Sequence, residues 1–240
     1  MFGSTATISN TKISGNSVSI TNASGTAYAD SGGVKADVNV TLSGDVIADN
    51  HVTVVARGGP SASADGDSGA GEVAGGTVSN SRLTGNTVTV SSAKGSASAS
   101  SGAGFMGPGS ITNSVIRDNR VHTISPAGSA TAVGGGIQIS GGATSPGPVT
   151  LRKTTVSDNT AEATGSSATA QGGGIFDIAI PNGPPSGLLT LIGSNVTANT
   201  VAGSGQAKLQ GGGVFTTFKL TLTSSVIKAN RPDQCSGKGC

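Results

Sequence analysis

Paired carboxylates are required for most hydrolysis or elimination chemistry on sugars, and this chain offers one candidate catalytic pair. Asp118 and Asp158 each directly precede an asparagine that recurs along the sequence. If successive copies stack, the two carboxylates lie about one strand spacing apart, close enough to hold a cation or share a proton. Asp49 precedes the same asparagine in an earlier copy, but Ala198 does so in a later one. Because Asp-Asn is also ordinary turn chemistry, a purely structural role stays open.

The densest acidic cluster runs from Asp65 through Asp67 to Glu72, with glycines between them. Carboxylates separated by glycine turns supply the hard oxygen ligands that Ca²⁺ prefers. The cluster lacks the full spacing of a calcium loop and its distal bidentate glutamate. The three acids are therefore candidate metal ligands, and a solvated turn tip is the alternative. No other cofactor is expected.

Other reactive side chains are few. His51 and His122 stand near the recurring asparagine in different copies, with no Cys or acid in register, and this favours surface histidines over a metal site. The glycine run 134–136 lacks the Lys-Ser/Thr pair of a phosphate loop. No Gly-x-Ser-x-Gly nucleophile motif occurs.

The composition excludes several classes of protein. The 240 residues include 40 glycines, no Trp, one Tyr and five Phe, which is too little aromatic material for an ordinary globular core of this length. A net charge of +2, spread along the chain, does not indicate nucleic-acid binding. No run of about 18 apolar residues predicts a transmembrane helix.

One asparagine aligns the whole chain into copies separated by 34, 36, 33, 40, 40 and 31 residues. An apolar residue precedes it by three positions, and another by eight. Each copy exposes apolar strands that only stacked neighbours can cover, so the spacing predicts one circuit per copy, with two smaller circuits as the competing count. The column asparagines are Asn16, Asn50, Asn86, Asn119, Asn159, Asn199 and Asn230.

These asparagines suit tight corners because Asn tolerates left-handed backbone. Their amides could also bond from one circuit to the next, which predicts an asparagine ladder. Between the asparagine and the next glycines, segments such as 88–100 alternate at period two around a glycine, a signal for a hairpin-like extension. A β-sandwich would explain the short strands but not the constant return of one asparagine.

The pattern of three glycines and an apolar residue, then Leu-Thr-Leu, Ser-x-Val and x-x-Asn, resembles the repeats of right-handed parallel β-helix proteins. This pectin-lyase-like fold is similar to bacterial secreted, surface and polymorphic outer-membrane protein repeats. The resemblance implies an all-β, right-handed parallel β-helix of about seven coils, forming a single domain over residues 1–240. It also implies an extracellular or cell-surface location. Since no capping segment is evident, we expect a fragment of a longer protein.

Function is less determined, because the same fold carries lyases, hydrolases, adhesins and stalks. We expect a structural or adhesin-like interaction module, with carbohydrate or another surface protein as partner. The alternative is a polysaccharide-active enzyme, which needs three or more acids and a base in one groove. Arg117, Arg120 and Arg152 lie near Asp118 and Asp158, but no third acid joins them.

A third reading is an ice- or mineral-binding face, which needs a regular Thr-x-Thr array. Thr221 and Thr223 fit it, whereas the aligned positions of earlier copies look irregular.

The tail 231–240 carries the only cysteines, Cys235 and Cys240, separated by a Ser-Gly-Lys-Gly segment. The flexible loop and the resemblance to secreted proteins favour a disulfide that fastens the tail over the last circuit. Half of a zinc site and two free thiols are the alternatives.

Overall fold

The computed structural model describes residues 5–140, 147–178, 189–205 and 207–240. Over these ranges the chain is all-β, with no helix, and its parallel strands stack into a β-solenoid, as the repeat predicted. The solenoid makes about five turns rather than the expected seven. The last asparagine motif, at Asn230, is followed by no further strand of the sheet that contains β3 (Ser17–Asn22), so it adds no complete turn.

Three sheets form the walls, and every pairing among the described strands is parallel. Sheet A contains β1 (Thr5–Ser9), β5 (Val34–Ser43), β9 (Gly71–Ser79), β13 (Gly104–Met106), β14 (Gly109–Thr112), β17 (Ile137–Ser140), β18 (Val149–Arg152), β21 (Ile175–Ile178), β22 (Leu189–Ile192), β26 (Val214–Thr216), β27 (Leu220–Thr223) and β29 (Cys235–Ser236). Sheet B contains β2 (Lys12–Ser14), β6 (Val46–Ala48), β10 (Arg82–Thr84), β15 (Val115–Arg117), β19 (Thr155–Ser157), β23 (Asn195–Thr197) and β28 (Val226–Lys228). Sheet C contains β3 (Ser17–Asn22), β4 (Ala27–Ala29), β7 (His51–Ala56), β8 (Ser63–Asp67), β11 (Thr87–Ser92), β12 (Ser96–Ser100), β16 (Arg120–Val133), β20 (Thr160–Gln171), β24 (Thr200–Ser204) and β25 (Lys208–Gln210).

The predicted register is confirmed in sheets A and B. The apolar residue three positions before each asparagine stacks through sheet B, and the one eight positions before stacks through sheet A. Most of these side chains are buried and form one core between sheets A and B. The stacked residues of sheet B are Ile13, Ile47, Leu83, Ile116, Val156, Val196 and Ile227.

Sheet C encloses a second, thinner core of valines and alanines. Its two arms, exemplified by β7 and β8, alternate buried and outward residues as expected. They do not pair with each other as a hairpin would. Each arm instead pairs in parallel with the copies above and below, so the arms meet only through side chains such as Val54 and Ala64.

The asparagine ladder is present and runs through all seven motifs. Oδ1 of each asparagine accepts bonds from the backbone N and Nδ2 of the preceding one; Asn119 N and Nδ2 lie 3.0 and 2.9 Å from Asn159 Oδ1. Asn159 Nδ2 also donates to the Ile116 carbonyl at 3.1 Å. At the end of the stack, Gln234 Oε1 accepts from Asn230 N and Nδ2, both at 3.1 Å. The ladder thereby satisfies buried polar groups at the corner between sheets B and C in each copy.

The expectation that the column asparagines adopt left-handed backbone is wrong. The structure places positive φ on the residue before the asparagine, with 56° at Asp118 and 57° at Asp158 and Ala198. Aspartate is among the residues that tolerate this conformation, which gives the Asp-Asn dipeptides a structural reason.

The C-terminal tail is fastened as expected, with Cys235 and Cys240 at disulfide distance and their Cα atoms 5.7 Å apart. β29 pairs with β26, and Gly239 bonds to Thr216 and Leu220. The tail therefore covers the β26 edge. It leaves β27 as an edge strand, where Leu222 is 48% exposed.

Candidate functional site

A polar concavity, here called the acidic groove, lies at the corner where sheet C passes to sheet A. Its volume is about 210 Å³. It spans the first four copies of the repeat. Its lining residues are Tyr28, Asp30, Lys35, Asp67, Ser68, Glu72, Ser100 and Gln138.

Strand register brings these side chains together. Outward positions alternate with small buried residues along β4, β8 and β12, so Tyr28, Asp67 and Ser100 lie on the outward side of sheet C. Around the corner, Lys35 pairs in register with Glu72 on sheet A. Residues more than sixty positions apart in sequence therefore share one wall.

Lys35 neutralises part of the groove. Its ammonium forms an ion pair with Asp30 and lies 3.4 Å from Glu72 Oε2. The Tyr28 hydroxyl donates to Asp30 Oδ2 at 3.2 Å. Burial alone would raise the pKa of Asp30, but the Lys35 hydrogen bond and charge bring it below its usual value. Asp30 is therefore held as a carboxylate.

The pKa of Asp67 is shifted in the opposite direction. Burial raises the pKa of its carboxyl above the usual value, although the Ser100 hydroxyl donates to Asp67 Oδ1 and opposes the rise. Burial, followed by the charges of Asp67 and Asp30, also raises the pKa of Tyr28 to about 12. The pKa values of Asp30 and Asp67 are therefore shifted in opposite directions. Acids with shifted pKa values are frequent in functional sites.

Two polar atoms in the groove wall lack hydrogen-bond partners. Ser68 Oγ is fully buried, and it and Gln138 Oε1 find no partner among the described residues. Ser68 has φ of 46°, at the corner position where Gly134 and Gly172 stand in later copies. A serine in left-handed backbone is uncommon, so its hydroxyl is an addition that the fold does not require.

The predicted calcium ligands are only partly assembled. Asp67 and Glu72 line the groove, whereas Asp65 lies two residues earlier on β8 and is absent from the lining. Burial, then the charge of Asp67, raises the pKa of Asp65. No group of three His, Cys, Asp or Glu side chains suited to a metal ion occurs in the described ranges. In the groove, the Lys35 ammonium takes the place next to Glu72 that a cation would need.

The candidate pair Asp118 and Asp158 is brought together, but around an arginine. Arg117 Nε lies 2.9 Å from Asp118 Oδ2 and 3.6 Å from Asp158 Oδ2, and all three side chains are about half exposed. The two carboxylates therefore share one arginine as their ion-pair partner. Together with the positive φ of both aspartates, this geometry favours the turn role.

One histidine does have an acid in register, contrary to expectation. His122 pairs with Glu162, and its Nε2 lies 4.0 Å from Glu162 Oε1, while Arg120 forms an ion pair with the same carboxylate. Burial lowers the pKa of His122 despite the opposing charge of Glu162. His51 contacts the Thr87 hydroxyl at 2.7 Å.

The Thr-x-Thr array is irregular, as expected, because Arg152 and Ile192 interrupt one of its two rows. The other row, on the outside of sheet A, is a regular line of hydroxyls. Nine positions before each column asparagine stands a Thr or Ser, a count that could have revealed it. Neighbours approach along the stack, with Thr77 Oγ1 3.5 Å from Thr41 Oγ1 and Ser79 Oγ 3.2 Å from Ser43 Oγ in the flanking row. This hydroxyl row consists of Thr7, Thr41, Thr77, Ser110, Thr150, Thr190 and Thr221.

Asp177 is an acid that sequence reasoning did not single out. It stacks between Ile139 and Thr216 on sheet A and is 1% exposed. Thr216 Oγ1 donates to its Oδ2 at 2.8 Å, while Oδ1 has no partner among the described residues. Burial raises the pKa of Asp177 to about 6.

No protein-family model, curated protein or solved structure matches this chain. The described part of the chain also contains no helix that could serve as a membrane span. Proposals about function therefore depend on the geometry above.

Proposed function

We propose that this chain is an adhesin-like interaction module of a secreted or cell-surface protein, and that its hydroxyl row binds polysaccharide. The observation that carries the proposal is the unbroken stack of seven Thr and Ser side chains on the outside of sheet A. Hydroxyl groups repeat along it at the strand spacing of about 4.8 Å. A polymer of hydroxylated sugars can form many weak bonds with such a row, and their effects combine as avidity.

The interior of the solenoid supports a scaffold role. The asparagine ladder uses the polar groups of its corners internally, so the outer rows are what the molecule presents to partners. A pair of cysteines at disulfide distance is compatible with an oxidising compartment. These features favour a rigid surface module over an enzyme whose chemistry resides at the ladder corners.

The test is adsorption of the purified chain to insoluble polysaccharides such as cellulose and mannan. Thr77→Val and Thr150→Val, combined, remove two hydroxyls from the row while keeping the side-chain shape. We expect adsorption to fall about tenfold, corresponding to two lost bonds of about 0.7 kcal/mol each. Thr53→Val, on sheet C, is the matched control and should adsorb like the unmodified chain.

Equal adsorption of the double variant, or no adsorption to any polysaccharide, would overturn the proposal. Adsorption to ice or mineral but to no polysaccharide would count against a carbohydrate partner and favour a crystalline one.

A second candidate function is an enzyme on acidic polysaccharide, favoured by the acids and the lysine gathered in the acidic groove. A reducing-sugar and unsaturated-uronide assay, with and without Ca²⁺, addresses it. Turnover that disappears in Asp67→Ala, or in Asp118→Ala and Asp158→Ala, would replace the module proposal.

A further inference from the structure

The acidic groove offers more hydrogen-bond acceptors than its own side chains satisfy. Ser68 Oγ and Gln138 Oε1 both belong to its wall, and neither has a partner among the described residues. A buried polar atom left without a partner costs about 1–3 kcal/mol. Ser68 is fully buried and occupies a corner where later copies have glycine, so nothing in the backbone requires this hydroxyl. Its position points to a ligand that completes the bonds.

The charge of the groove selects a cation. Three carboxylates, those of Asp30, Asp67 and Glu72, share the concavity with the single ammonium of Lys35. Lys35 is engaged with Asp30 and Glu72, which leaves the Asp67 side of the groove with excess negative charge. Gln138 Oε1 can only accept a hydrogen bond, so the ligand must bring donors.

A primary ammonium fits this set better than a metal ion does. No three metal-ligating side chains converge in the described ranges. An ammonium has three N–H donors and no acceptor. Tyr28, which is 52% exposed, adds an aromatic face, and such faces attract cations within about 6 Å.

We propose that the acidic groove binds a small molecule through a protonated primary amine, with Asp67, Ser68 and Gln138 as its hydrogen-bond partners. The volume of about 210 Å³ is below the 300–1,000 Å³ of most drug-sized sites, so one small ring or a short chain fills it. An amino sugar and a free aliphatic amine share this chemistry. The proposal does not depend on polysaccharide binding at the hydroxyl row.

The experiment is calorimetric titration of the full chain with glucosamine and, separately, putrescine. N-acetylglucosamine and glucose keep the ring without the charge, and CaCl₂ supplies a cation without N–H donors. We expect the amines to bind and the uncharged sugars and Ca²⁺ not to bind at about 10 mM, tenfold above a millimolar dissociation constant. Binding of glucosamine alone identifies a sugar as the source, and binding of both amines identifies the ammonium alone.

Three variants locate the site. Asp67→Asn, Ser68→Gly and Gln138→Met should each weaken amine binding about tenfold, because each removes a bond to a charged donor. Ser68→Gly installs the residue that later copies use at this corner, so it should not unfold the protein. Ser224→Gly, at another serine with positive φ and outside the groove lining, is the control and should leave the affinity unchanged.

No binding of either amine would overturn the proposal. Equal binding of N-acetylglucosamine would also overturn it, because the positive charge would then not contribute to binding. Amine affinity that is unchanged in both Asp67→Asn and Ser68→Gly would overturn it as well.

Discussion

The corner between sheets C and A has two halves that share a backbone and differ in chemistry. In the first copies it carries Asp67 and Ser100, and Lys35 in register with Glu72. In the later copies the positions stacked on Ser100 become Val133, Gln171 and Gln210. The first half is a charged groove, and the second is neutral.

In the neutral half, the side chains bond and pack against one another. Gln171 Nε2 donates to Gln210 Oε1 at 2.8 Å, and the rings of Phe176 and Phe215 stack with centroids 5.4 Å apart. Glycines 134 and 172, both with φ of 63°, replace the strained serine of the first half. The comparison teaches that a solenoid corner can be remodelled from scaffold to site by its outward side chains and one corner residue, because the backbone bonds that stack the corner continue through both halves.

The largest expected effect concerns the buried acid under the neutral half. Asp177→Asn should raise the free energy of unfolding by at most about 3 kcal/mol above pH 6. The folded-state pKa of about 6 exceeds the value of 3.8 taken for the unfolded chain. The neutral carboxyl is thus favoured by folding, and stability present below pH 4 is lost as pH rises through 6. Denaturant unfolding at pH 4 and pH 8 measures the difference.

Asp158→Asn is the control for this prediction, since Asp158 is half exposed and Asn tolerates its positive φ. A gain at pH 4 equal to that at pH 8 would contradict the role assigned to burial.

The asparagine ladder runs unchanged through both halves, and it predicts a graded loss. Asn159→Ala should cost about 1–3 kcal/mol, because Asn119 loses its acceptor and the Ile116 carbonyl loses a donor. Asn16→Ala should cost less, since among the described residues its side chain makes one bond, from Nδ2 to Asn50 Oδ1. Chemical denaturation of both variants provides the measurement, and equal losses would argue against a continuous ladder.

At the C-terminal end, Cys235→Ser combined with Cys240→Ser should lower stability by no more than about 1–2 kcal/mol, because the closed loop is short. The local effect should be larger, since Gly239 accepts from the Leu220 amide and donates to Thr216. Hydrogen exchange at Leu220 should accelerate, and light scattering should detect self-association through the freed edge. Unchanged exchange would show that the tail stays in place without the sulfur bond.

The smallest effect is expected in the charged half. Lys35→Met should change stability by less than about 1 kcal/mol, because its ion pairs are 44% exposed on the lysine side. The change should shrink further in high salt. A thermal melt at low and high salt tests this, and a large, salt-independent loss would mean that the groove is structural rather than a site.

The sequence determined the architecture because solenoid stacking converts a repeat directly into contacts. Asn119 and Asn159, 40 residues apart, bond to each other in the structure, and the same spacing pairs Ile116 with Val156 and Ile111 with Leu151. The pairing of the two cysteines could also be predicted from the sequence, since both lie in one short loop. The number of turns was overestimated, because each asparagine motif was taken as one turn even where the strands of that turn are incomplete.

Only the tertiary structure decided where the chemistry lies. Asp30 and Lys35 belong to no sequence motif. They become part of a candidate site because the next circuit of the solenoid brings Asp67 and Glu72 into the same groove. Asp118 and Asp158 were correctly placed as neighbours, but the Arg117 side chain between them was not foreseeable from spacing. A repeat fixes which backbones stack, whereas the direction and exposure of each outward side chain depend on the corner it occupies.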